Sequence, residues 1–327
     1  MMEINFSHLA QSAVEGQHLN KEACLEILNC PDENILILLD QAYKVRRKYF
    51  GDSVRVQVLR NAKSGLCAED CNYCSQSRIS KAGIDRYPLL SRDTLAADAR
   101  KAKQIKASRF CISTSGTRPD ETEIEQLCDA ISAIKEETQL PLCATLGLIT
   151  DVQAGKLKAA GLDRVNHNLN TSRRYYPRIC TSHSFQERWD TIQRCKNAGL
   201  EICSGAIFGQ GENDEDIVDV LSALMEIHPQ AVPVNFLVPI PGTPFEKLQT
   251  ELTPLKCLKI LCLTRLINPQ SEVRAAGGWE FHMRQLKSLA FFVADSIFID
   301  GYLTTEGTSI KEATGLITDL GLSSNIQ

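Results

Sequence analysis

The chain has 327 residues, 43% hydrophobic and 23% charged, with a formal net charge of -4 and a pI of about 5.9. That balance describes an ordinary globular protein, long enough for one large domain or two modest ones. It excludes a basic surface for nucleic acid or anionic membrane and any apolar run long enough to span a bilayer. The opening MMEINFSHLAQ also lacks a basic-then-apolar leader, so a cytoplasmic protein is expected.

Residues 1–50 read as mainly helical. Lys21–Leu28 and Asn34–Tyr49 carry apolar residues at helical spacing. The second ends in Lys44, Arg46, Arg47 and Lys48 near Gly51, which reads as a solvated basic helix end favoured by the macrodipole. From Val54 onward, short apolar segments alternate with longer amphipathic ones. The predicted strands are Val54–Arg60, Arg109–Ser113, Leu142–Leu146, Arg164–Leu169, Glu201–Ile207, Val232–Leu237, Glu272–Ala276 and Ser296–Ile299. Helices are predicted between them, for example over Glu121–Glu136, Val152–Ala160, Phe185–Ala198, Asp214–Glu226 and Leu255–Ile267. Gly147, Gly161, Gly199 and Gly242 punctuate these units.

Alternating strands and helices imply βαβ units and a parallel sheet. Eight units predict a (β/α)8 TIM-type barrel, residues 51–327, carrying a helical N-terminal extension, residues 1–50. A doubly wound open sheet is the rival architecture. In a barrel the active site lies at the C-terminal ends of the strands.

Thirteen cysteines are many for a cytosolic chain, and an odd number cannot all pair. Cys24, Cys30, Cys128, Cys180, Cys195, Cys257 and Cys262 read as small buried hydrophobes. The set in GLCAEDCNYCSQS differs, because Cys67, Cys71 and Cys74 share one tight loop after the first strand. A structural zinc site wants four ligands, and no close fourth Cys or His completes this one. Three thiolates suit a four-iron cluster with one iron left open. This C-x3-C-x2-C, with Tyr73 before the last cysteine, resembles the signature of the radical S-adenosylmethionine superfamily. The resemblance implies that the open iron chelates the amino and carboxylate groups of S-adenosylmethionine, which an electron from the 4Fe–4S cluster cleaves to a 5′-deoxyadenosyl radical.

Three more cysteines lie in predicted strands: Cys111 in RFCIS, Cys143 in PLCATLG and Cys203 in EICSGAI, with Arg274 following in SEVRAAGG. Any one alone reads as a buried hydrophobe. Together, in order and approximate spacing, they resemble the biotin synthase family. That resemblance implies that Cys111, Cys143, Cys203 and Arg274 hold a second, 2Fe–2S cluster that donates sulfur. Arginine is normally protonated and offers no lone pair, so Arg274 serves either as a deprotonated ligand or as a charged hydrogen-bond donor to a sulfide.

DRVNHNLNTS is polar for a barrel strand. Period two places Asn166, Asn168 and Asn170 on one face and His167 on the other. Buried amides must be satisfied, so the row implies a polar ligand. The segment resembles the NHNLNTS or NHNLDTS motif of the same family. The likeness implies that Asn166 and Asn235 bind the ureido group of dethiobiotin, Asn168 touches both substrate and S-adenosylmethionine, and Asn170 binds the ribose. It also implies that Ile207 and Val238 flank the adenine and Arg188 pairs with the methionyl carboxylate. Thr304 and Thr305 match the region that receives the substrate carboxylate.

The likeness runs from about residue 35 to 320. Three residues depart from it: Asn170 stands where many relatives have Asp, Ala206 replaces a Gly, and Trp279 replaces an Arg. The reaction implied is conversion of dethiobiotin to biotin by a homodimer fed electrons by a flavodoxin- or ferredoxin-type donor, without nucleic acid or membrane. One rival is another radical enzyme of this barrel lineage, from hydrogenase maturation or the pyrrolysine pathway, which should lack the second cysteine set with its arginine. A non-catalytic cluster carrier is the other, and it would not need the asparagines.

Overall fold

The computed structural model describes residues 5–299, 301, 303–304 and 307–326. Thr305 lies outside the described residues. The chain begins with helices α1 (Phe6–Val14), α2 (Lys21–Asn29) and α3 (Ile35–Phe50). Leu38, Ala42 and Val45 recur on one face of α3, and that face is buried. Phe6, Ala10, Ile27 and Leu28 join the same hydrophobic core as the barrel helices. The basic end of α3 is not uniformly solvated, as the sequence implied. Arg46 is fully buried and donates to the carbonyls of Gly51 and Ser53, tying the helix to the chain entering the first strand. Lys44 and Arg47 stay exposed and pair with Asp40 and Asp52.

The strands are β1 (Ser53–Lys63), β2 (Phe110–Thr114), β3 (Leu142–Thr145), β4 (Arg164–Asn166), β5 (Glu201–Cys203), β6 (Ala206–Phe208), β7 (Ala231–Phe236), β8 (Glu272–Ala275), β9 (Ser296–Ile299) and β10 (Ser323–Ser324). Each pairs in parallel with its neighbour, and β1 pairs with both β2 and β9. The sheet therefore closes on itself. With β5 and β6 taken as one interrupted strand, it is the eight-position barrel expected from the sequence. β10 only extends β1 at its start. The open-sheet rival is excluded by the β1–β9 pairing.

Helices α4 (Arg92–Gln104), α5 (Glu121–Thr138), α6 (Asp151–Ala159), α7 (Tyr176–Ile179), α8 (Phe185–Asn197), α9 (Asp214–Ile227), α10 (Pro254–Ile267), α11 (Trp279–Met283) and α12 (Ile310–Asp319) complete the fold. Four of them open with a capping box: Asp120 with Glu123, Thr150 with Gln153, Ser184 with Glu187, and Asn213 with Asp216. Each box satisfies two amide groups that the first helical turn leaves unpaired, fixing where the βα loop ends. Among the described residues no helix is long and apolar enough to cross a membrane.

Two predicted strands are shorter than expected. Arg164–Leu169 is regular only to Asn166, and Glu201–Ile207 is broken at Ser204 and Gly205. The break has a steric cause. A Cβ on Gly205 would lie 1.9 Å from the Pro233 carbonyl oxygen of β7, so only glycine lets the two backbones approach. Gly205→Ala is therefore expected to destabilise the fold by about 1–3 kcal/mol, the usual cost of forced overpacking. A denaturant melt of the variant against the parent chain checks it, and an unchanged midpoint would refute the steric account.

Candidate active site

Side chains alternate faces along a strand, so inward residues two apart stack in layers up the barrel axis. At the N-terminal end, Glu272 at the start of β8 gathers Arg164 of β4 at 3.2 Å, Gln57 of β1 at 2.6 Å, and Arg274. This buried acid with its donors closes the barrel floor. The next layer holds Cys111, Cys143 and Cys203 with Ala231, Phe298 and Leu59, a cluster separate from the main core. Cys111 sits opposite Cys143 in the β2–β3 register, and Cys203 sits opposite Asn166 and Ala231. The three strand cysteines named from sequence thus converge on one enclosed place.

Arg274 reaches the same place. One terminal nitrogen donates toward Cys203 Sγ at 3.7 Å, Nε donates to Ser296 Oγ at 3.2 Å, and the other terminal nitrogen binds Glu272. Its guanidinium lies 4.6 Å from the centre of the Phe298 ring. Burial works against its charge, but Glu272 and the nearby thiols more than offset this and raise its pKa. Burial also pushes the Cys203 thiol up to about 11. A metal cluster here must therefore draw thiol protons away as it binds.

Further along β2, β3 and β7, Ser113, Thr145 and Asn235 line a cavity of about 290 Å³ at the C-terminal mouth. Cys67, Cys71 and Cys74 line it too, on the loop after β1. Burial pushes the Cys74 thiol up to about 11. Two acids within the loop fix its position. Asp70 Oδ1 accepts the amides of Thr181 and Ser182 at 2.9 Å each, and Glu69 Oε2 contacts His183 Nδ1 at 2.8 Å. Neither acid was singled out from the sequence, because their partners lie more than a hundred positions away. The only local signal was two carboxylates inside a cysteine loop.

The asparagine row behaves differently from its period-two reading. Alternation stops with β4 at Asn166, and Asn170 adopts a left-handed φ of 71°. His167, expected on the opposite face, borders the cavity along with Asn168 and Asn170. Burial holds its pKa well below the ordinary value, so it is neutral, and its Nε2 is buried with no partner among the described residues. Asn166 Oδ1 is likewise buried and unpartnered. Asn168 Oδ1 accepts from the Gly205 amide at 3.0 Å, and Asn170 Nδ2 donates to the Tyr73 hydroxyl Oη at 2.7 Å. Asn235 lines the cavity, but its amide also staples backbone, donating to Ala206 O at 3.0 Å and accepting from Gly277 N at 2.9 Å. His167 borders the cavity, and its unsatisfied Nε2 marks where a polar ligand would bind; Asn166 is not among the lining residues.

Arg188, Ile207, Val238 and Thr304 also line this cavity. Arg188 donates to the Tyr176 hydroxyl Oη at 2.6 Å and to the Asn168 backbone carbonyl at 2.8 Å. Among the described residues no carboxylate pairs with it. Thr304 Oγ1 lies 2.8 Å from Ser75 Oγ, joining the C-terminal segment to the cysteine loop. Gly205 and Gly209 serve backbone packing and turn formation. Gly205 is required by Pro233, and Glu212 accepts the amides of Gly209 and Gln210 at 2.6 Å each.

The donor sets therefore fit the groups the sequence implied. Three thiols and the Arg188 guanidinium share the cavity, and three thiols with an arginine sit in a sealed layer beneath it. Comparison with known proteins agrees. The family model for the Radical SAM superfamily matches residues 63–224, and that for the Biotin and Thiamin Synthesis associated domain matches residues 233–323. A biotin synthase of Bacillus subtilis is 44% identical over 96% of this chain and 93% of its own length. One from Halalkalibacterium halodurans is 42% identical over 97% and 95%. Among solved structures, methylornithine synthase superposes with a TM-score of 0.83 at 21% identity, covering 97% of each chain. The FeFe-hydrogenase maturase of Carboxydothermus hydrogenoformans gives 0.82 at 20% identity, over 98% of this chain and 79% of its own. These two likenesses speak for the fold alone.

Proposed function

The chain belongs to the biotin synthase family, and from that premise we propose how its residues divide the work of converting dethiobiotin to biotin. When bound, the 4Fe–4S cluster with S-adenosylmethionine supplies one-electron activation of a C–H bond, and the 2Fe–2S cluster supplies the sulfur atom. Cys67, Cys71 and Cys74 hold the first cluster at the barrel mouth. Cys111, Cys143 and Cys203, with Arg274 in the fourth position, hold the second in the layer beneath. The observation that carries this reading is the stacking of two thiol sets along one barrel axis, one facing the cavity and one sealed below it.

The remaining residues position ligands between the two sets. Asn166 offers its buried Oδ1 to the ureido N–H groups, and Asn235 also contacts that group. Asn168 bridges substrate and cofactor. Asn170 meets the ribose through a neutral amide, its Nδ2 already turned to Tyr73. Ile207 and Val238 enclose the adenine, and Thr304 with Thr305 receives the substrate carboxylate. The enclosed barrel keeps water from the reacting carbon. Residues 51–327 form the catalytic barrel in this reading, and residues 1–50 are its helical extension. A flavodoxin- or ferredoxin-type donor, a homodimeric state and a cytoplasmic location belong to the same proposal. The direct test is product analysis with dethiobiotin under strict anaerobiosis. Biotin and 5′-deoxyadenosine should both form; deoxyadenosine without biotin would overturn it.

Arg188 gives a sharper test of the cofactor placement. Charged hydrogen bonds contribute about 1.5–3 kcal/mol each. Arg188→Ala should therefore weaken S-adenosylmethionine binding by about tenfold to a hundredfold while leaving dethiobiotin binding nearly unchanged. Equilibrium binding of each ligand separates the two. Equal weakening of both would mean that Arg188 only supports the fold, through Asn168 and Tyr176.

A further inference from the structure

Beside the cysteine loop lies a second group of metal-binding atoms, which shares Cys71 with the loop and adds Cys180 and His183, two residues the radical reaction does not use. Cys71 Sγ is 3.7 Å from Cys180 Sγ. Cys180 Sγ lies 3.2 Å from His183 Nδ1 and 3.9 Å from His183 Nε2. All three residues are buried, with one donor atom from each lying within 4.8 Å of the others. A tetrahedral zinc ion, with Zn–S near 2.3 Å and Zn–N near 2.05 Å, separates two thiolates by about 3.8 Å and a thiolate from an imidazole nitrogen by about 3.5 Å. The observed spacings are close to those edges before any metal is present.

The surroundings orient the histidine for this role. Its Nδ1 faces Glu69 Oε2 at 2.8 Å, and its Nε2 accepts from Arg188 Nε at 3.2 Å. Nδ1 therefore carries the proton and Nε2 the lone pair. A carboxylate behind a ligating histidine is the usual support for bound zinc. Arg188 competes for that lone pair, but its Nε also reaches the Tyr176 hydroxyl Oη at 2.6 Å and keeps a partner if His183 turns to a metal. Asp70 Oδ1, 3.2 Å from Cys180 Sγ, can complete the tetrahedron, as can water.

We propose that Cys71, Cys180 and His183 form a zinc-type cation site in the chain before its 4Fe–4S cluster is assembled, so that zinc and cluster compete for Cys71. Two thiol protons leave to solvent for each ion bound, and no oxidation state changes. The two thiolates neutralise the ion's charge where it is buried. The competition rests on the reading of Cys71 as a cluster ligand; the cation site does not.

The test uses the full-length chain, free of cluster and kept reduced, with cobalt(II) as the optical probe and zinc(II) as its displacer. Thiolate-to-cobalt charge-transfer bands with intense tetrahedral ligand-field bands are expected, and zinc should abolish both. Cys180→Ser, nearly isosteric, and His183→Ala should each weaken zinc binding roughly tenfold or more, measured against a chromophoric chelator. Cys67→Ala and Cys74→Ala should not. Loss of the bands on Cys67→Ala or Cys74→Ala, with Cys180→Ser unaffected, would place the ion on the loop thiols and overturn the site. Melting curves guard against a misfolded variant. In a second arm, iron and sulfide are added with and without one equivalent of zinc. Zinc should slow cluster formation in the parent chain but not in Cys180→Ser. Undisturbed assembly in a parent chain that does bind zinc would refute the competition and the ligand role of Cys71, leaving the cation site standing.

Discussion

Cys74→Ala is expected to reduce cleavage of S-adenosylmethionine to background and, with it, all biotin formation. The loop offers three thiols facing one cavity, and a cluster held at three corners has none to spare. Cys74 is a cleaner choice than Cys71, because Cys180 sits 3.7 Å from Cys71 Sγ and could take over ligation there. The substitution should leave the fold intact. Cys74 is partly exposed, its loop is anchored through Glu69 and Asp70, and the deleted atom borders a cavity already present. Anaerobic assay of 5′-deoxyadenosine, with electron paramagnetic resonance of the reduced protein, reads the outcome. The 4Fe–4S signal should vanish with the activity. Parental cleavage in a chain lacking that signal would mean that the loop does not carry the radical chemistry.

The barrel and the loop cysteine set were legible in the sequence for a physical reason, whereas the strand cysteines were grouped only by resemblance to a known family. Strand periodicity and loop spacing are local properties, and C-x3-C-x2-C confines its donors to one turn of chain. What stayed hidden was tertiary. Cys180 reads as an isolated buried thiol in RICTSH, and nothing within that stretch says that it meets Cys71. Glu69 and Asp70 likewise gain their meaning from residues 181–183. Period two described Arg164 to Asn166 but failed beyond it, because the backbone turns left-handed at Asn170, where the Asn170 amide meets the Gly205 carbonyl at 3.1 Å. The basic end of α3 misled for a similar reason. Four cations within five residues look solvated, yet the fold buries Arg46 against backbone carbonyls.

Cys111→Ala separates the two thiol sets. The radical requires the mouth set, the cofactor and an electron; the sulfur requires the deeper set. This variant should still cleave some S-adenosylmethionine but make no biotin, with selective loss of the 2Fe–2S optical and Mössbauer signals. Removing one buried Sγ leaves a small cavity, costing about 1 kcal/mol, so its melting curve should shift only slightly. Arg274→Ala reverses the order of effects. Three thiols remain to hold the cluster, and water can fill the vacated position, so activity should fall less than in Cys111→Ala. Stability should fall further, because Glu272 is a buried carboxylate losing one charged partner. Arg164 at 3.2 Å and Gln57 at 2.6 Å stay with it and limit the loss. A chain in which Cys111→Ala makes biotin at the parental rate would reduce the strand cysteines to ordinary core residues. If instead Arg274→Ala proved the more damaging to activity and the less damaging to stability, the arginine would be an indispensable ligand rather than a partner of Glu272.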